Sequence, residues 1–515
     1  MPGSTTGGDL SNADDKIGNR METSEGGMSV RPRHHLRDAL LVFCLLGFAF
    51  GYFYQDPGWN GNSRFGLVFA MVREGRLTID SFHDQEGTRT GDKSFFDGHY
   101  YSDKAIGPSL IGAALYAPLY WMKLAIHHPS QETSKVILTF LVIGLPSAAA
   151  GSLMYLLCLH LSGSRTRAYV AALAIALGTM YFPYSVIFFS HQLASALLFS
   201  AFFIIFLLKR SPEVGKSWYL FLIGMLLGLA LISEFPTAAI IVPLGAYYLH
   251  VVWRAGASHR LRSLALPAFG GLIPVVFQLA YNALSFGNPF SLGYANLVDP
   301  LYGEAMAQGV MGIQWPNMQV LYYTLLHPSM GLLWESPVLL IAFVGAGFMF
   351  RDRRYRAEAI VTGWIIAFYV IMMSGYSMWW GGFALGARHI IPALAFLCIP
   401  LAFVPRRLTW LTILLAIVSI GQMTIAAASN VLVPDTMVLR IGAQRFFEYS
   451  NIYSYCLNEL LDGNFARNLG QEVLGLRAWG SLIPLLVVAL GTTAFFFRGA
   501  KPTMAAGEAP IGASR

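Results

Sequence analysis

The chain has 515 residues, of which 55 % are hydrophobic and 12 % charged, and its mean hydropathy is +0.53. That balance excludes an ordinary soluble globule and describes a polytopic membrane protein. The net charge of +7 is spread over short clusters between apolar runs, a pattern that argues against nucleic acid as a partner and instead sets membrane orientation.

The first 35 residues are rich in Gly, Ser, Asp and Met and end in the basic stretch RPRHHLR, which reads as a disordered cytoplasmic tail. An apolar run from Asp38 to Tyr54 follows without a small-residue cleavage site, so it reads as a retained first span. Downstream, Arg165/Arg167, Lys209/Arg210/Lys216, Arg254/Arg260/Arg262, Arg351/Arg353/Arg354/Arg356 and Arg406/Arg407 mark the cytoplasmic turns. The apolar stretches between them accommodate pairs of helices of roughly 20 residues each. The expected fold is an all-α bundle of about twelve transmembrane helices, with both termini inside and a large outer juxtamembrane loop after the first helix.

In that scheme 36–428 is the transmembrane module, 55–134 its outer catalytic loop, 429–478 a later outer segment, 479–498 the last span and 499–515 a cytoplasmic tail. The remaining outer segments are the turn at Ser190 and His191, 286–330 and 374–389. Of 107–127 and 135–160, only one crosses if Arg165 shares a side with the N-terminus. The crossing is assigned to 135–160, leaving the proline-bearing 107–127 re-entrant or interfacial.

The segment Gln55–Ile106 holds eight acidic and six basic residues between strongly apolar neighbours and ends in GDKSFFDGHYYSDKAIGPSL. Charge held against a membrane marks function. Within it, Asn62 is placed to cap a short amphipathic helix ended by Gly75. Phe65, Phe69 and Val72 would lie in the interface, with Arg64, Arg73 and Arg76 at the level of lipid headgroups. Asp56, Asp80, Asp92, Asp97 and Asp103 are candidate carboxylates beside Lys104. Such groups serve equally as a general base, as ligands of a divalent cation, or as salt bridges and turn caps. Further on, His191 in FFSHQLAS, Glu335 in GLLWESPVLL, and Arg388 and His389 in MWWGGFALGARHIIP are polar breaks expected at the same outer face. The Gly- and Trp-rich turn before Arg388 suits a lipid headgroup or a sugar. Cys44, Cys158 and Cys398 lie in apolar runs and Cys456 in a late polar loop, giving neither a disulfide framework nor a CxxC metal pair.

With NSRFGLVFAMVREGRLTID, GDKSFFDGHYYSDKAIGPSL and FFSHQLAS, and more loosely YNALSFGNPFSLGY, GLLWESPVLL and GGFALGARHIIP, residues 36 to 400 resemble the GT-C class of integral membrane glycosyltransferases. Within that class the chain resembles in particular the relatives of the protein O-mannosyltransferases and of the lipid A aminoarabinose transferase. The resemblance implies transfer of a sugar from a polyprenyl-phosphate carrier to an acceptor at the outer face of a plasma (inner) membrane. Protein, lipid and polysaccharide all remain open as the acceptor. By position the resemblance implies that Lys104 stands near the donor phosphate. With the outer-face residues read above, the expected donor-phosphate set is Lys104, Arg64 and Arg388, and the expected substrate contacts are Tyr100, Tyr101, Asp103, His191, His389 and Glu335. The family's acidic pair before an arginine falls here on Gly61 and Asn62, which cannot act as bases, so the role passes to Asp56, Asp80 or Asp92. No P-loop occurs and no cofactor is implied, with divalent-cation dependence left open. The alternative is a transporter or flippase of a lipid-linked glycan. The polar residues, however, gather at one face and no internal repeat is visible. A non-catalytic assembly protein would leave the aspartates and aromatics of 55–106 without a role.

Overall fold

The computed structural model describes residues 32–122, 130–210, 216–255, 260–434 and 443–498. Most of the 1–35 tail, the whole 499–515 tail and part of the 429–478 segment lie outside them. Contacts divide the chain at Asp38, and everything below concerns the body that begins at Ala39.

Among the described residues, eight helices are long and apolar enough to cross a membrane: His35–Tyr52, Gln131–Ser162, Ser190–Leu208, Phe235–Arg254, Arg260–Phe286, Arg353–Ser374, Arg406–Ala428 and Ala478–Arg498. Three shorter apolar helices, Ser217–Ser233, Val338–Arg351 and Arg388–Phe403, accompany them, against the expected count of about twelve spans. Gln131–Ser162 contains the assigned crossing 135–160. The competing stretch forms a separate helix, Gly107–Trp121, with Pro118 inside it, and is not among the eight.

Charge organises the two ends of these helices. Ser190–Leu208 carries His191 in its first turn and runs about 28 Å at 1.5 Å per residue. At its far end Lys209 Nζ lies 2.8 Å from Glu358 Oε1, and Tyr247 donates to the same oxygen at 2.8 Å. Glu358 opens the helix Arg356–Ser374, which returns toward His389. Arg165 also lies at a helix start, where it donates to the carbonyl of Phe496 at 3.1 Å. Close approach in the bundle depends on small residues. A Cβ on Gly224 would lie 1.8 Å from the Pro267 carbonyl oxygen, and one on Gly228 would lie 2.5 Å from that of Gly271. Ser217–Ser233 and Arg260–Phe286 therefore pack backbone to backbone, as small-xxx-small pairs do in lipid.

The charged loop folds into the body instead of lying on it. Its helix starts at Gly58, is buried from Gly61 onward and ends through a wide turn at Gly75 (φ +64°). Two expectations are corrected here. Asn62 is not the cap but an interior residue whose amide donates to the Arg89 carbonyl at 3.0 Å. Phe65 and Phe69 are fully buried against Phe188 and Tyr116, so this face meets protein, not lipid. The cause is the cover above it, where Gly107–Trp121 packs on the helix and Ser109 donates to the Arg64 carbonyl at 3.1 Å.

After this helix comes a hairpin, Lys93–Phe96 paired with His99–Ser102 in the register Lys93↔Ser102. Its turn is Asp97-Gly98, both with positive φ (49° and 80°), the Asp-Gly combination that fits a two-residue hairpin. The hairpin decides the site, because Asp92 immediately precedes one strand and Asp103 and Lys104 immediately follow the other. The strand turn thus brings the three side chains to one end.

Candidate active site

Arg64 is buried in the interior, with a side chain 3 % exposed. It donates to the Ala105 carbonyl at 2.7 Å and to the Ser190 hydroxyl at 2.6 Å, and stands 3.9 Å from Glu234 Oε1. Burial lowers its pKa against the opposing pull of Glu234. Lys104 Nζ bridges two carboxylates, Asp92 Oδ2 at 2.9 Å and Asp103 Oδ2 at 2.8 Å. Burial alone would lower the lysine's pKa, but the two aspartates outweigh it and hold the ammonium charged. Burial pushes the Asp103 carboxyl up, with Lys104 opposing. Asp92 is the more open of the pair, 13 % exposed against 4 %.

Across the cavity, His191 Nδ1 lies 2.6 Å from Glu234 Oε1, and Ser190 donates to the same oxygen. Burial raises the Glu234 pKa, yet His191, Arg64 and Ser190 together reverse the shift and hold the carboxylate ionised. The His389 ring is edge-on to both His191 and Tyr376, with centroids 5.0 and 4.9 Å away. Arg388 stacks over Phe189 at 4.8 Å, and its Nε has no hydrogen-bond partner among the described residues. The bare backbone of Gly381 (φ +69°) fits against this guanidinium, since a Cβ there would lie 2.5 Å from Nε.

These groups line one cavity of about 330 Å³, a size that suits a small-molecule site. A second cavity of about 630 Å³ adjoins it, and Asn60, Asp92, Tyr302 and Arg388 line both.

The expected site residues divide sharply. Asp92, Asp103, Lys104, Arg64, His191, Arg388 and His389 all reach the cavity. Asp56 does not, because it sits exposed at a turn and accepts from the Gly58 amide at 2.8 Å. Asp80 also stays away, accepting from the Tyr100 amide at 2.7 Å and facing His99 Nδ1 at 2.7 Å. Tyr100 packs on His83, and Tyr101 on Phe286, outside the cavity. Glu335 does not line the cavity and is fully buried, with both oxygens lacking a hydrogen-bond partner among the described residues. Burial pushes its pKa up to about 8. Glu234, Tyr294, Tyr302 and Tyr376 also line the cavity, though the sequence reading had not singled them out. Glu234 had a visible signal, a lone carboxylate in LISEFPT between two apolar runs. Tyr294 and Tyr302 lie in short helices and Tyr376 just after a longer one, with no distinguishing pattern. Among the described residues, no group of three or more His, Cys, Asp or Glu side chains forms a metal site.

Fold and cavity together define an α-helical polytopic membrane protein with a charge-lined site where its apolar helices end. No family model matches the chain, and no curated protein matches it. Solved structures similar to it include two of one protein. ArnT from Cupriavidus metallidurans bound to undecaprenyl phosphate aligns at 12 % identity with a TM-score of 0.49, covering 90 % of this chain and 75 % of that one. The apo state of the same protein aligns at 13 % identity with a TM-score of 0.46 and the same coverage.

Proposed function

We propose that the protein is a membrane glycosyltransferase of GT-C type that moves a sugar from a polyprenyl-phosphate carrier to an acceptor hydroxyl. The observation that carries the reading is the meeting of Asp92 and Arg388 in one cavity at the ends of membrane-length helices. Arg388 is a guanidinium with no ion-pair partner among the described residues, as a phosphate site requires. Asp92 keeps Oδ2 on Lys104 and has Oδ1 without a hydrogen-bond partner among the described residues.

In the reaction, Asp92 takes the proton of the acceptor hydroxyl, and the acceptor oxygen forms a bond to the anomeric carbon. The bond from that carbon to the phosphate oxygen breaks, and its electron pair leaves with the polyprenyl phosphate. Arg388, with Lys104 lining the same cavity, stabilises the charge that develops on the departing phosphate. Arg64 is committed to Ala105, Ser190 and Glu234, and its role is to position the loop helix against Ser190–Leu208. Basic residues crowd the helix ends remote from the cavity, which supports an outer-facing site under the positive-inside bias.

The test is turnover of synthetic polyprenyl-phosphate sugars by the purified protein, read as release of polyprenyl phosphate. Turnover that falls at least 100-fold in Asp92→Asn supports the reading. A panel of pentosyl and hexosyl donors, none of which is bound or consumed, overturns it.

A further inference from the structure

We propose that the second cavity is the acceptor subsite and that the acceptor it takes is a carbohydrate. The inference rests on the transferase reading above and adds the class of its second substrate. The two cavities share Asp92 and Arg388, so the proton-accepting group and the phosphate-holding group stand at their junction. A donor in the first cavity and an acceptor in the second meet only there.

The wall of the second cavity has the chemistry of a sugar site. Trp59, in the first turn of the loop helix, is 46 % exposed and lines this cavity. One part of its ring is backed by Gly91, where a Cβ would lie 2.6 Å from Cε3, and its carbonyl accepts from the Thr90 hydroxyl at 2.8 Å. The indole is therefore held in place while part of its surface remains open. Trp380, half-buried, lines the same cavity and packs edge-on to Trp379 at 5.9 Å. Aromatic rings of this kind give a flat apolar surface for the C–H face of a pyranose or furanose, with a polar edge for its hydroxyls.

Polar groups with spare capacity supply the rest. Asp299 accepts with Oδ1 from the Leu301 amide at 2.9 Å, leaving Oδ2 without a hydrogen-bond partner among the described residues. Gln308 accepts with its oxygen from Gln314 at 2.6 Å, leaving its amide NH2 to donate. Gly381 and Gly382, both with positive φ, keep side chains out of the floor. A peptide added as a strand pairs with an open main-chain edge. Here the 431–433 stretch on the wall already pairs with 383–385, and rings, glycines and side-chain polar groups share the lining with Leu301, Leu432, Val433 and Pro434.

The experiment uses the purified full chain. Binding of pentose and hexose trisaccharides is followed by saturation-transfer NMR, and stimulation of polyprenyl phosphate release is measured with the same trisaccharides and with a Ser/Thr-rich peptide. We expect at least one trisaccharide to bind and to stimulate release. Its binding should weaken at least tenfold in Trp59→Ala and Trp380→Ala, recover in part in Trp59→Phe, and persist in Trp315→Ala, an exposed tryptophan lining neither cavity. Stimulation by the peptide alone, equal binding in all four variants, or no trisaccharide binding overturns the proposal. Trisaccharide binding that depends on Trp59, without turnover of any donor, would instead contradict the transferase reading and leave the sugar site standing.

Discussion

His191 Nδ1 and Glu234 Oε1 meet at 2.6 Å and tie the start of one apolar helix to the junction of two others. The same carboxylate oxygen receives Ser190 and faces Arg64 at 3.9 Å. Its folded pKa is depressed, so the stabilisation it gives is present above the unfolded carboxyl value and is lost as pH falls through the folded one. Thermal unfolding of detergent-purified protein should show falling stability below about pH 4.5. Glu234→Gln should flatten that acid limb. At neutral pH the variant should lose about 3 kcal/mol, because Arg64 is left buried without its countercharge.

Glu335 behaves in the opposite sense. Its pKa is raised to about 8, so its contribution is complete below the unfolded value near 4.5 and is lost as pH rises through 8. The backbone of Gly386, two residues before Arg388, lies close to it, since a Cβ there would lie 2.5 Å from Glu335 Oε2. Stability should decline between about pH 5 and 8 in the wild type and stay level in Glu335→Gln. A thermal-shift series across that range measures it, and parallel curves for the two proteins would contradict the assignment.

Lys104 holds two carboxylates at once. Lys104→Met should destabilise the protein by about 3–5 kcal/mol, since it strands Asp92 and Asp103 in a buried site. Adding Asp103→Asn should recover part of the loss, because one of the two stranded charges is then gone. Denaturation of the single and double variants gives the coupling directly.

Arg388 should separate binding from folding. It has no ion pair to lose, so Arg388→Ala should shift the unfolding midpoint little. Its affinity for a polyprenyl phosphate should fall at least tenfold, as loss of a charge-assisted phosphate contact requires. Isothermal titration with undecaprenyl phosphate in detergent is the check.

Much of this architecture was legible in the chain. Composition gave the membrane class, and the basic clusters fall at the helix ends away from the cavity, as at Lys209 and Arg165. Asp92, Lys104, His191, Arg388 and His389 stood out because charge is costly beside apolar runs. The loop helix was misplaced for a physical reason. Periodicity shows that Phe65 and Phe69 share a face but does not tell whether lipid or protein covers it, and the covering helix Gly107–Trp121 comes later in the chain. Asp56, Asp80 and Asp92 looked alike in sequence. Only the hairpin, signalled by Asp97-Gly98, carries Asp92 to Lys104 and leaves the other two at the surface. Glu234 reaches His191 through helix packing that no local pattern encodes.

The most direct measurement places the purified protein in proteoliposomes with a labelled polyprenyl-phosphate sugar and follows chemical turnover and movement between leaflets in the same sample. The account predicts release of polyprenyl phosphate by the wild type, with loss of at least 100-fold in Asp92→Asn while donor binding persists, the scale expected for a general base. Asp56→Asn and Asp80→Asn should stay within a few-fold of wild type. Movement of intact donor between leaflets without turnover would contradict the account and make the protein a transporter.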